Sequence, residues 1–264
     1  MVLVSTCWLL GFLNARAGTL PAGWVVTCAP NLAVTAGPYV VQTNYWNRSV
    51  VPGTQCLSIN RQNGDFTVTR ADYDGGVDNV AAFPCILYGC AFGTCSPDSD
   101  LPMRLDDLKS IVSDWRFTPT PSGIWNAAYD LWICPDHSCG PSGFNGGLEV
   151  MVWLEDSKVP GWQYDLGPVT VAGASWELWH AQFTIDNNHW DYVAYLPPSP
   201  VTSVSGFDLK PFLDETQSKG FVHSTEFLYA VQAGVEIHAG GVPFTSRNFS
   251  VSIQTKTQGA GDAK

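Results

Sequence analysis

Apolar and polar residues alternate with a period of two through most of this sequence. Nine segments read as β-strands on that basis: 39–46, 65–72, 124–133, 148–155, 169–173, 175–185, 190–196, 227–237 and 248–255. Clusters of Gly, Pro, Asn and Asp separate them. One stretch departs from the period. In 205–220, SGFDLKPFLDETQSKG, the residues Phe207, Leu209, Phe212 and Leu213 stand near helical spacing, with Lys219-Gly220 as a basic end followed by a C-terminal glycine. Pro211 is compatible with that helix if it lies in the first turn. Many strands, one short helix and no break in composition predict an all-β, jelly-roll sandwich of two antiparallel sheets, spanning 18–254 as one domain. The polar, Gly-rich 255–264 reads as a disordered tail or the stub of a linker.

The alternation is unusual for what it puts on the second face. In LEVMVWLE, Leu148, Val150, Val152 and Leu154 form an aliphatic face, while Glu149, Met151, Trp153 and Glu155 form the other. WNAAYDLW sets Asn126, Ala128, Asp130 and Trp132 against Ala127, Tyr129, Leu131 and Ile133. YAVQAGVEIH sets Ala230, Gln232, Gly234, Glu236 and His238 against Tyr229, Val231, Ala233, Val235 and Ile237. VVQTNYW contributes Val40, Gln42, Asn44 and Trp46. If these second faces line one sheet, they form a cleft carrying three acids and a strip of indoles.

Composition narrows the partner. Aromatic residues make up 12% of the 264-residue chain, including 11 Trp, and the net charge is −11. That charge argues against nucleic acid or an anionic membrane surface. A neutral ligand that stacks on rings fits better, and a pyranose offers an apolar C–H face to an indole. The start, MVLVSTCWLLGFLNARA, resembles a secretory signal ending at residue 17, too short to span a bilayer as a helix. Eight cysteines agree with export; Cys7 would leave with the signal. Close spacing suggests Cys90–Cys95 and Cys134–Cys139 as local bridges, and Cys28 and Cys56 lie on what read as neighbouring strands, leaving Cys85 over. Zinc is the competing use of these cysteines, but paired CxxC spacing is absent and the five histidines are scattered. His137, His180, His189 and His223 read as surface or loop residues, so neither metal nor cofactor is expected. Asn47-Arg-Ser and Asn248-Phe-Ser are glycosylation sequons.

Paired carboxylates in a cleft suit glycosidic hydrolysis. One acid protonates the leaving oxygen, and one carboxylate attacks or activates water. Mutual repulsion raises one pKa, so that an acid and a base coexist near neutrality. From Cys28 to Ile253 the residues also resemble the family-12 glycoside hydrolases, through VVQTNYWN, GTQCLSI, GCAFGTCSP, LPMRL, WNAAYDLW, LEVMVWL, SWELW, FDLKPFLDETQSKG and QAGVEIHAGG in that order.

The resemblance implies a curved jelly roll with its single helix packed on the convex sheet. It implies Glu149 as nucleophile, Glu236 as acid/base and Asp130 as the residue supporting the nucleophile. Met151 follows the nucleophile in the cleft, and Asn44 and Trp46 form a sugar platform. It agrees with Cys28–Cys56 and Cys90–Cys95. Trp132, Trp153, Gln232 and His238 complete the expected substrate-binding set, whereas Glu226 and Glu155 are expected at the surface and the rim. Departures from the family's pattern at Asn47, Ala91 and Ile237-His238, and the extra CPDHSC segment, bear on substrate preference.

The expected activity is that of a secreted, monomeric, retaining endo-β-1,4-glucanase acting on cellulose or mixed-linkage β-glucan. Xyloglucan is the alternative substrate, and a non-catalytic, lectin-like glucan-binding jelly roll is the alternative class.

Overall fold

The computed structural model describes residues 21–137, 139, 143–157, 159, 164–185 and 188–256. The expected signal segment and residues 257–264 of the expected tail lie outside these. In chain order the first strands are β1 (Trp24–Thr27), β2 (Ala33–Ala36), β3 (Tyr39–Gln42), β4 (Gln55–Asn60), β5 (Phe66–Ala71) and β6 (Cys85–Ala91). Two short pieces, β7 (Thr94–Cys95) and β8 (Met103–Arg104), lead into β9 (Leu108–Thr118), β10 (Ile124–Cys134) and β11 (Gly147–Ser157). Then come β12 (Tyr164–Val171), β13 (Ala174–Ile185), β14 (Asn188–Leu196), β15 (Ser203–Asp208), the helix α1 (Lys210–Ser218), β16 (Phe227–Ala239) and β17 (Phe244–Thr255).

These strands form the two packed sheets of a jelly roll. The smaller has the order β1-β4-β5-β17-β9-β15; the larger runs β12-β13-β14-β11-β10-β16-β6-β3-β2, with β7 and β8 paired to β6 and β16. Pairing is antiparallel except between β11 and β14, which run parallel. The aliphatic faces of β10, β11 and β16 meet Ile111, Trp115, Phe117 and Phe244 of the smaller sheet in one continuous core. Each fully buried large side chain there contributes about 1.5–3 kcal/mol. With that face committed to the core, the opposite face of the same three strands is left to form the cleft.

Several strands are absent from the period-two reading, each for a physical reason. β6 is buried on both faces, so its run CILY shows no alternation. In β9 a serine occupies a core position: the fully buried Ser113 Oγ donates to the Ser250 carbonyl at 2.6 Å and lies 2.9 Å from Tyr129 Oη. Strand β3 stops short of the predicted 46, and Asn44, with φ +39°, turns the chain toward the cleft.

The helix is shorter than its sequence signal. Residues 203–208 pair with β9 as β15, and Asp208 Oδ1 accepts hydrogen bonds from the amides of Ile111 and Lys210. Pro211 lies in the first turn of α1, and Gly220, with φ +83°, ends it. The amides of Gly220 and Phe221 return to the carbonyls of Gln217 and Thr216, the Schellman pattern. Phe212 packs edge-on against Trp176 and Tyr195 of the larger sheet and against Phe207 of the smaller, so α1 closes one side of the sandwich.

Strict alternation also fails at bulges, and two of these bear on the cleft. Between β10 and β16 the pairing steps from Trp132↔Ala230 to Ile133↔Leu228, and the extra residue, Tyr229, joins Trp132 and Phe144 rather than the main core. Between β10 and β11 the step from Ala128↔Trp153 to Ala127↔Glu155 sets Glu155 opposite core-facing Ala127, away from the face of Glu149. All three expected disulfides are present, and Cys85 is free and buried.

Gly89 turns the end of β6 into the Cys90–Cys95 hairpin with φ +101°, and a Cβ there would lie 2.2 Å from the Tyr229 carbonyl oxygen. Both the dihedral and the contact exclude a side chain. Gly89→Ala should lower stability by about 2–4 kcal/mol, measured by denaturant unfolding with the disulfides intact.

Candidate active site

A cleft of about 920 Å³ crosses the exposed face of the larger sheet. Its floor is the central triplet β11-β10-β16. In register, Glu149 of β11 stands beside Trp132 of β10, and Glu236 of β16 stands beside Asn126. Asp130 lies between them on β10, flanked by Met151 and Gln232. The two glutamates thus flank one strand from opposite sides, with the aspartate between. All three acids line the cleft, and Asp130 and Glu149 are buried.

Each carboxylate receives a hydrogen bond from a neutral donor. Trp190 Nε1 donates to Glu149 Oε2 at 2.7 Å, Trp132 Nε1 to Asp130 Oδ2 at 2.9 Å, and Asn126 Nδ2 to Glu236 Oε2 at 2.6 Å. Among the described lining residues there is no Lys, Arg or His. Burial therefore dominates the titration. It pushes Glu236 up to about 7, against the lowering effect of Asn126. Burial, then the nearby Asp130 and Glu236, raise Glu149 well above the ordinary carboxylate range. Asp130 is raised by burial and by Glu236, with Trp132 opposing. Such a cluster holds protons at neutral pH and can both donate and accept them.

One end of the cleft carries Asn44 and Trp46, the latter 42% exposed, with Leu32, Asp78 and Asn79 around them. Asn47 lines this end too, and its Nδ2 donates to the Val80 carbonyl at 2.8 Å, tying two rim loops together. On the floor, Gln232 Nε2 donates to Gln42 Oε1 at 3.3 Å, and Cys85 Sγ lies 3.5 Å from the same nitrogen. Trp132 is buried and meets Trp190 and Phe92.

Three expected binding residues are buried. Met151 and Trp153 are on the cleft side of β11 but buried in a cluster with Tyr192 and Ala194 of β14, against which Phe183 of β13 packs. His238 is fully buried where the 74–80 loop crosses the end of β16, with its carbonyl accepting from the Gly75 amide. Burial lowers its pKa to about 4. Asp78 and Asn79 of that loop line the cleft instead.

The periodicity did not single out Trp190 and Tyr192 as site residues. They alternate along β14 and reach the cleft only because β14 docks parallel to β11, with Tyr192 opposite Glu149. Period-two spacing in WDY was the available signal, but it does not say which strand β14 joins.

Residues 37–254 match the family model described as Glycosyl hydrolase family 12. The chain is 27% identical to Endoglucanase A of Aspergillus kawachii over 240 residues, covering 86% of this chain and 92% of that protein. It is 29% identical to a probable xyloglucan-specific endo-beta-1,4-glucanase A of Aspergillus terreus, over 83% of this chain and 84% of the relative. Among solved structures, the endoglucanase cel12A from Rhodothermus marinus superimposes with a TM-score of 0.81 at 38% identity, covering 88% of this chain and all of that one.

Two outcomes follow from the electrostatics. Removing the Asn126 donor withdraws a hydrogen bond that favours ionised Glu236. The carboxyl midpoint, followed by carbon NMR on labelled protein, should therefore rise above about 7 in Asn126→Ala. Glu236 titrates higher folded than unfolded, so its contribution to stability is full below about 4.5 and is lost as pH rises through about 7. Glu236→Gln should accordingly raise the unfolding free energy at pH 8 by on the order of 1–3 kcal/mol and leave it unchanged at pH 4, read from denaturant titrations at both pH values.

Proposed function

The chain belongs to glycosyl hydrolase family 12, and on that premise we propose that it is an endo-β-1,4-glucanase that cleaves internal bonds of cellulose or mixed-linkage β-glucan with retention of configuration. The observation that carries this reading is the pair of carboxylates, Glu149 and Glu236, directed into one cleft from either side of β10.

In the first step Glu236, protonated because burial holds it near 7, gives its proton to the glycosidic oxygen as the bond to the anomeric carbon breaks. A Glu149 oxygen forms the new bond to that carbon, giving a glycosyl-enzyme ester and releasing the reducing-end fragment. In the second step Glu236, now ionised, takes a proton from water. The water oxygen attacks the anomeric carbon, and Glu149 leaves as a carboxylate. Two inversions give net retention, which calls for carboxyl groups about 5–5.5 Å apart. Asp130, the acid between them, is raised by burial and by Glu236, which favours its neutral form and limits the charge beside the nucleophile.

Asn44, Trp46, Gln232 and Trp132 suit the substrate. Amides recognise hydroxyls, and the half-exposed indole of Trp46 offers a stacking face. The absence of cationic side chains among the described lining residues suits a neutral polymer rather than an acidic one. Every acid of the site comes from one chain, which supports action as a monomer. Three disulfides support an extracellular, oxidising setting. Xyloglucan stays the second substrate reading, favoured by the relatives named for it.

The test is reducing-end release from carboxymethyl-cellulose, mixed-linkage glucan and xyloglucan. Wild type should turn over at least one of them, and the panel ranks the substrates. Glu149→Gln should lose on the order of 10³-fold or more in kcat. Activity should also decline as pH rises through about 7, where Glu236 loses its proton. Undiminished turnover by Glu149→Gln would refute the assignment of the nucleophile.

A further inference from the structure

We propose that Trp190 is a positioning residue for the nucleophile: its indole N–H fixes one oxygen of Glu149 and favours the ionised form of that carboxyl. The inference rests on the reading of Glu149 as nucleophile.

The geometry is specific. The 2.7 Å bond from Nε1 engages Oε2 and leaves Oε1 free to attack. A carboxylate held through one oxygen loses rotational freedom about its last torsion, which is the preorganisation that nucleophilic attack requires. The indole is itself held. Its ring lies between Trp132 and Phe183, with centroids 5.8 Å from each. Its backbone pairs with Gly147 across the parallel β11–β14 junction. The turn before β11 grips the preceding residue from both sides, since Gly146 N donates to the His189 carbonyl at 2.7 Å and His189 N to Asn145 Oδ1 at 3.0 Å. On its other side Gly147 lies tight against β10: a Cβ there would lie 2.6 Å from the Ile133 carbonyl oxygen. Four elements thus converge on one N–H.

The electrostatic setting gives this bond its importance. The groups facing Glu149 are Asp130 from β10, Glu236 from β16 and Tyr192 from β14, while β13 contributes the non-ionisable Phe183. None of these is a cation. Burial and both neighbouring acids favour protonated Glu149, and the Trp190 hydrogen bond opposes them. A neutral donor stabilises a carboxylate without drawing it into an ion pair, so the oxygen remains nucleophilic. A stacking platform would need only the face of the ring; here the N–H edge is what meets the acid.

The experiment uses Trp190→Phe together with the benzothienylalanine isostere at 190, which keeps the shape of indole and replaces N–H with sulfur. For each, kcat/KM on a soluble aryl β-cellobioside is measured against pH, alongside thermal unfolding. A 2-deoxy-2-fluoro cellobioside traps the glycosyl-enzyme in wild type, and peptide mass spectrometry locates the label. We expect the label on Glu149. In both variants the acidic limb should move up by about one pH unit, with the basic limb in place and KM changed less than twofold. A limb that stays put while KM rises severalfold would make Trp190 a sugar platform and overturn the proposal. A uniform fall at every pH with reduced thermal stability would make it a packing residue, with the same consequence. A label on another carboxylate would overturn the reading of Glu149 itself, whatever the limbs do.

Discussion

The structure depends on one constraint: β10 is buried on both faces, and the two faces must meet opposite demands. Toward the smaller sheet it presents Ala127, Tyr129, Leu131 and Ile133 to the core. Toward the cleft it presents Asn126, Asp130 and Trp132, and its neighbours β11 and β16 add Glu149 and Glu236. Burying carboxylates without cations is unfavourable by itself. The continuous core on the other face makes the arrangement tolerable, because the same strands that hold the acids also bury a full aliphatic face against the smaller sheet. Core and site are two sides of a single sheet.

That economy explains the chemistry of the donors. An arginine or lysine beside these acids would pull their pKa values down and quench the acid that must donate a proton. Indole and amide N–H groups fix the oxygens more gently. Asn126, Trp132 and Trp190 each meet one carboxylate, and the acids remain above their ordinary range despite them. The site therefore sits at the expense of stability at neutral pH, as is common where function requires a destabilised group.

Departures from regular pairing shape the cleft's outline. The bulge at Tyr229 turns an aromatic ring toward Trp132 and Phe144. The bulge after Trp153 removes Glu155 from the face of Glu149. Phe92, with φ +46°, is held in the Cys90–Cys95 hairpin and lies edge-on to Trp132. Two of these irregularities aim an aromatic ring toward the site and one takes a carboxylate off its face, in keeping with the general use of bulges near functional surfaces.

The sequence by itself determined the fold class, the two-faced character of β10, β11 and β16, and the identity of the three acids, because a pleated strand keeps a period of two between bulges and a core must be apolar. It also determined the disulfide partners and the end of α1, where Gly220 supplies a backbone conformation that other residues resist. Strands such as β6 and β9 were hidden, one by burial on both sides and the other by Ser113 at a core position. Tertiary structure alone decided which strands are neighbours. The parallel docking of β14 brings Trp190 onto Glu149, and packing with Tyr192 and Ala194 buries Met151 and Trp153. A loop laid across β16 buries His238 and puts Asp78 at the rim. Alternation says which face a side chain occupies, and it carries no information about what lies across from that face; that is fixed only when the sheet closes.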